Sequence, residues 1–184
     1  VKIKKTGKKK YLVYGKGLGS LHIKKGSTLD FGNSGTLARL LIGILSSTPN
    51  IEVNVKGDKS LNKRNMSKLI NLMSEFGAQF YPKNRDNFPL KIISSAIPIG
   101  INYNAGVSAQ LKSAVMLAGL NSFGVTNIYE KYKSRDHTEN ILEKNSKTLK
   151  KVNDNIKIRG KGFINSIKSI VPGDPSTSAF VTTL

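Results

Sequence analysis

Residues 29–41 read LDFGNSGTLARLL, and residues 107–120 read VSAQLKSAVMLAGL. Each stretch joins small, hydrogen-bonding residues directly to a long apolar segment. A helix that is apolar nearly all round buries itself in a core. That pattern predicts buried helices over residues 36–47 and 107–120. A third start of the same kind, GDPSTS at 173–178, predicts another from Pro175.

Around these helices the pattern repeats. Short apolar runs and glycines over residues 11–31 predict strands and turns. Further strands are expected at 51–55, 88–93, 99–103, 125–130, 156–159 and 167–171. Residues 64–76 place Met66, Leu69, Ile70, Met73 and Phe76 on one helical face, with Gly77 as the stop. Ser134-Arg135-Asp136 opens another surface helix, with Ile141 and Leu142 expected inward. Buried helix, strand, polar loop, amphipathic helix and strands thus recur at an offset of about 72 residues. The fold class is α/β (α+β), built from repeated βαβαββ units with their buried helices packed together.

The charge balance favours anionic partners, because 30 basic residues face 11 acidic ones, a net +19. Only five of the basic residues are arginine, and the lysines are scattered, with clusters at 1–10 and 147–151. Aromatic residues do not interleave with them as a nucleic-acid stacking platform needs. The expectation is no nucleic-acid partner. Cysteine is absent, which excludes disulfides and thiolate catalysis, and two distant histidines make no zinc site. No apolar run is long enough for a membrane span. A start at Val1 and a stop within SAFVTTL lead us to expect a cytoplasmic fragment cut at both ends.

The helix starts carry the chemistry. Free N–H groups and a partial positive charge at a helix N-terminus receive anions, and small residues let them approach. Gly32 to Thr36, Ala105 to Gln110 and Gly173 to Ser178 all have this composition. Ordinary capping explains one such loop; three on equivalent repeats point to a shared ligand face. Arg64 is expected to open the amphipathic helix of 64–76, where a cation opposes the helix dipole unless an anion sits beside it, and Arg135 stands in the equivalent loop one repeat later. Arg39, inside an apolar helix, is expected to have a buried partner and a structural role. Ser134, Asp136 and His137 are too close in sequence for a hydrolase triad.

GNSGTLARLL, GDKSLNKRNM, VSAQLKSAVMLAGL, SRDHTENIL and PGDPSTSAF occur in this order. Together they resemble the EPSP synthase family of enolpyruvyl transferases, in the form of its class II bacterial branch. The resemblance runs from about residue 11 to residue 184. It implies one domain of a two-domain inside-out α/β barrel, each domain holding three βαβαββ units around parallel buried helices. Residues 1–171 would be most of one domain, and 172–184 the hinge and first helix of the second. The implied reaction joins phosphoenolpyruvate to the 5-hydroxyl of shikimate 3-phosphate, with no cofactor and no metal, in a monomer without membrane attachment.

Carried over by position, Gly35, Arg64 and Gln110 are implied contacts to phosphoenolpyruvate. Ser108, Ala109, Gln110 and Arg135 are implied contacts to shikimate 3-phosphate. Asn33, Thr36 and Ser134 support the loops. The acid–base residues of the family match nothing in this chain, so none is assigned as catalytic. Arg64-Asn65-Met66 replaces the usual Arg-Pro-Met, and Asn145-Ser146-Lys147 replaces a Phe-Gly-Ala-like turn. Gly35 is glycine where herbicide-insensitive members often carry alanine, which implies sensitivity to glyphosate. Two alternatives stay open on the sequence: a UDP-N-acetylglucosamine enolpyruvyl transferase, and a non-catalytic anion- or nucleic-acid-binding domain of the same fold.

Overall fold

The computed structural model describes residues 1–173. The helix expected from Pro175 and the remainder of the expected hinge segment lie outside the described residues.

Two units of identical plan follow an N-terminal hairpin. In the first, β3 (Thr28–Asp30) leads through α1 (Gly35–Ser47) to the parallel strand β4 (Glu52–Lys56). A turn of 3₁₀ helix (Leu61–Lys63) and α2 (Ser67–Glu75) follow, then the antiparallel strands β5 (Gln79–Tyr81) and β6 (Leu90–Ile93). In the second, β7 (Asn102–Asn104), α3 (Ala109–Asn121), β8 (Val125–Tyr129), α4 (His137–Asn145), β9 (Leu149–Val152) and β10 (Asn155–Arg159) repeat the order. The sheets run β3-β4-β6-β5 and β7-β8-β10-β9, one parallel pair and two antiparallel pairs in each. A parallel pair needs a crossover, and the buried helix supplies it in both units.

The helix ends follow from local chemistry. Ser34 caps α1 by accepting from the Leu37 N–H at 3.2 Å, and Ser108 caps α3 through the Leu111 N–H at 3.4 Å. Thr48 precedes a proline and turns extended (ψ 120°), which ends α1. Gly77 (φ +93°) ends α2 in a Schellman motif: its N–H bonds Ser74 O at 2.8 Å, and the Ala78 N–H bonds Met73 O at 3.2 Å.

One hydrophobic core joins both units, and its centre is the α1–α3 contact. The helices are parallel. Gln110 meets Thr36 at their N-termini, Gly43 lies on Ala114 midway, and Asn121 bonds Thr48 at the far end. A Cβ on Gly43 would stand 2.6 Å from Ala114 O and 3.0 Å from its Cα. Only glycine permits this approach. α3 is buried almost all round, whereas α1 leaves Leu37 exposed.

Several expectations need correction. The basic cluster at the N-terminus is a hairpin, β1 (Lys2–Gly7) with β2 (Lys10–Tyr14), its lysines interleaved with Ile3, Tyr11 and Val13. Strands β5 and β9 add to the expected set; their three or four residues, lysine-rich in β9, carry too little alternation to signal a strand. Residues 167–171 form no strand; Ile170 and Val171 are 95% and 88% exposed, and no strand among the described residues pairs with them. Ile141 points outward, because only one face of the short α4 is covered and Leu142 takes it. Arg64 does not open α2. It is extended (ψ 134°), and the helix starts at Ser67, whose N–H bonds Asn65 Oδ1 at 2.8 Å.

Gly43→Ala is expected to lower unfolding stability by about 1–3 kcal/mol, because the added methyl meets backbone rather than a movable side chain. Denaturant unfolding of the two proteins checks this.

Candidate anion-binding site

Parallel packing brings the two helix N-termini side by side, and a network of side chains ties them. Gln110 donates from Nε2 to Thr36 Oγ1 at 2.7 Å and accepts at Oε1 from Arg39 Nη1 at 3.0 Å. Arg39 Nη1 also donates to Gly35 O at 3.1 Å. From the loop before α2, Arg64 donates from Nη2 to Asn33 Oδ1 at 2.9 Å. Both guanidiniums flank Gly35: a Cβ there would stand 2.8 Å from Arg39 Nη1 and 2.9 Å from Arg64 Nη1.

The charges are unbalanced. Among the described residues, neither arginine has a carboxylate within ion-pair distance. Burial first, and the neighbouring Arg64 charge second, lower the Arg39 pKa from its usual value. A guanidinium does not give up its proton in a protein, so the repulsion remains for an anion to relieve. Beside these groups opens a groove of about 500 Å³ lined by Arg39, Asn65, Ser67, Lys68, Ser108 and Leu111. Arg39 therefore belongs to the site as well as to the helix packing, and its partner is an amide rather than a buried carboxylate.

Most of the expected residues meet here. Asn33, Gly35, Thr36, Arg64 and Gln110 form one connected cluster, with Ser108 and Ala109 at the adjoining helix start. Arg135 stands apart: it is exposed and no hydrogen bond joins it to the cluster. Ser134 is engaged elsewhere, donating from both N–H (2.8 Å) and Oγ (2.9 Å) to Glu130 Oε1. Among the described residues no three His, Asp or Glu side chains gather as metal ligands would. No helix among them is long and apolar enough to cross a membrane.

Sequence reasoning missed a buried ionic trio beneath the second loop. Lys112 Nζ lies 2.6 Å from Glu130 Oε1 and 2.5 Å from Glu139 Oε1, with all three side chains at most 1% exposed. A lysine inside the apolar run of α3 was the available signal, the same one that drew attention to Arg39. Burial works against the Lys112 ammonium, but its two carboxylate partners outweigh it and raise the pKa. Burial likewise pushes Glu130 up, and the bonds from Lys112 and Ser134 more than offset it, leaving the pKa lowered.

The model of the EPSP synthase (3-phosphoshikimate 1-carboxyvinyltransferase) family matches residues 1–183. The chain belongs to the EPSP synthase family. It is 39% identical to the 3-phosphoshikimate 1-carboxyvinyltransferase of Zymomonas mobilis, over 97% of this chain and 40% of that protein. The protein of the same name from Bacillus cytotoxicus is 40% identical over 98% of this chain and 42% of its own length. The chain thus spans about 40% of the length of the curated relatives it matches. Among solved structures, EPSP synthase from Acinetobacter baumannii superposes with a TM-score of 0.74 at 36% identity, covering 84% of this chain and 35% of that one. The enolpyruvyl transferase NikO from Streptomyces tendae, at 14% identity and a TM-score of 0.52, shares the fold. The mixed α/β repeats are therefore those of the enolpyruvyl transferases.

The trio has a pH signature. The lowered Glu130 pKa stabilises the fold above the unfolded glutamate value of about 4.3 and is lost as pH falls through the folded value. The raised Lys112 pKa stabilises it below about 10.4 and is lost as pH rises beyond. Lys112→Met leaves two buried carboxylates facing each other, and we expect a loss of about 3–5 kcal/mol at neutral pH. Toward pH 4 the variant should regain part of that loss, because neutralising a buried charge left without its cation removes an uncompensated ion, while the parent gains nothing there. Denaturant unfolding at pH 7 and at pH 4 reads the narrowing of the gap between variant and parent.

Proposed function

We propose that this chain forms one substrate-binding half of an EPSP synthase. The intact enzyme transfers the enolpyruvyl group of phosphoenolpyruvate to the 5-hydroxyl of shikimate 3-phosphate and releases phosphate. The observation that carries this is the pair of guanidiniums, Arg39 and Arg64, that flank Gly35 at the start of α1 and, among the described residues, have no carboxylate partner. Phosphate and carboxylate groups supply the missing negative charge. The family's substrates carry both.

Gly35, Arg64 and Gln110 hold phosphoenolpyruvate, while Ser108, Ala109, Gln110 and Arg135 hold shikimate 3-phosphate. Asn33 aims Arg64, and Thr36 and Arg39 fix the Gln110 amide from its two ends. With Nε2 bonded once, the amide keeps one N–H for ligand. These donors are oriented before any ligand arrives, so charge developing on the reacting groups meets fixed dipoles. Residues 1–171 form most of one domain, and 172–184 lead into a second that completes the cleft. The acid–base groups come from outside this chain, and no metal or organic cofactor takes part. The enzyme works as a cytoplasmic monomer.

Calorimetric titration tests the assignment. Shikimate 3-phosphate should bind the chain, and Arg135→Ala should weaken it about tenfold or more, as loss of a charged hydrogen bond does. Arg64→Ala should weaken phosphoenolpyruvate by a similar factor. Absence of shikimate 3-phosphate binding, or indifference to both variants, overturns the proposal. The 184-residue chain should release no phosphate from the two substrates together. With Gly35 present, phosphate release by the intact enzyme should be blocked by glyphosate.

A further inference from the structure

We infer that Glu130 is a positioning residue for the loop that carries Arg135. Its carboxylate, neutralised from below by Lys112, grips Ser134 and thereby presents the next residue to ligand. The assignment of Arg135 to shikimate 3-phosphate is taken from the function proposed above; the grip on Ser134 stands without it.

The geometry is asymmetric in a way that charge pairing alone does not need. Glu130 Oε1 accepts three directed bonds: from Lys112 Nζ at 2.6 Å, from the Ser134 N–H at 2.8 Å and from Ser134 Oγ at 2.9 Å. Glu139 sits 2.5 Å from the same ammonium, yet among the described residues neither of its oxygens takes a well-directed hydrogen bond. One carboxylate is thus a loop anchor and the other a counter-charge. Residues 131–136 run between them, and both ends of that loop close on a single Lys112 Nζ. A further bond, Ser113 Oγ to Thr138 Oγ1 at 2.8 Å, fastens the start of α4 to α3. The loop therefore hangs from the same helix whose N-terminus opens on the substrate site.

The first unit fastens its own arginine loop by different means. Strand registers align Lys56 with Tyr129, since Asp30 pairs with Lys56 and Asn104 with Tyr129. The residue after each strand is then Gly57 in one unit and Glu130 in the other. Gly57 leaves room for buried Leu61, whose Cδ2 would stand 2.6 Å from a Cβ there. An apolar plug in the Arg64 loop is matched by an ionic anchor under the Arg135 loop. The anchor reaches Ser134 directly, which a plug cannot do.

Glu130→Gln and Glu139→Gln separate positioning from charge balance, because each is isosteric and each leaves Lys112 one carboxylate. Amide hydrogen exchange at Ser134 and Arg135, read on the full chain without ligand, is the first measurement. Glu130→Gln should speed exchange there about tenfold or more, and Glu139→Gln should leave it within about threefold, in keeping with the strength of a charge-assisted hydrogen bond. Shikimate 3-phosphate affinity should fall about tenfold in the first variant and stay within about threefold in the second. Ser134→Ala, which removes one of the two donors, should fall between them. Equal exchange rates and affinities in the two glutamine variants overturn the inference. If the parent chain takes up no shikimate 3-phosphate, the proposed function fails, and the exchange rates still decide the role of Glu130.

Discussion

Everything at the candidate site depends on how closely α1 and α3 approach. Gly43 lies against the backbone of Ala114 and lets the helices close up, while the equivalent β–α–β crossovers run them parallel. Parallel alignment is electrostatically awkward, because it puts two positive helix ends together. Hydrogen bonds at both ends and an apolar interface between them offset the repulsion. The site inherits what is left: a surplus of donors and positive charge, to which Arg39 and Arg64 add more. An arrangement that stability alone would avoid becomes a place where an anion is the missing component.

The duplication solves one problem twice with different chemistry. Each unit must hold a loop carrying an arginine beside the start of a buried helix. The first fills the space that glycine leaves at 57 with Leu61, and Asn62 and Asp58 tie the loop by accepting from the Gly57 and Leu61 N–H groups. The second does it with three buried charges, a more demanding solution, since each ion must be fully compensated in a dry interior. The backbone plan tolerates both because the strands and helices around the loops pair in the same order.

Much of this architecture could be read in advance. Strong apolar segments such as LLIGIL and AVMLAGL name the buried helices, and the cap residues Ser34 and Ser108 locate their starts within a residue or two. The short strands were harder. Three residues in β5 leave no period to detect, and the lysines of β1 and β9 mask strands whose backbone pairing is ordinary. Candidate ligand residues were legible because small polar residues at a helix start have a direct electrostatic meaning. The trio was not, because Lys112, Glu130 and Glu139 lie on three different elements.

By itself the sequence determined the repeat, the identity of the buried helices and the chemistry of their N-termini, because these depend on local periodicity and capping. Tertiary structure alone decided which polar groups meet. Gln110 meets Thr36 and Arg39 across 74 and 71 residues of chain, and the two guanidiniums converge on Gly35. It also decided that Arg64 is extended rather than helical, and that Lys112 serves two carboxylates. The physical reason is range. Capping and amphipathicity act within a turn or two of helix, whereas charge compensation is settled only when distant segments are packed and water is gone.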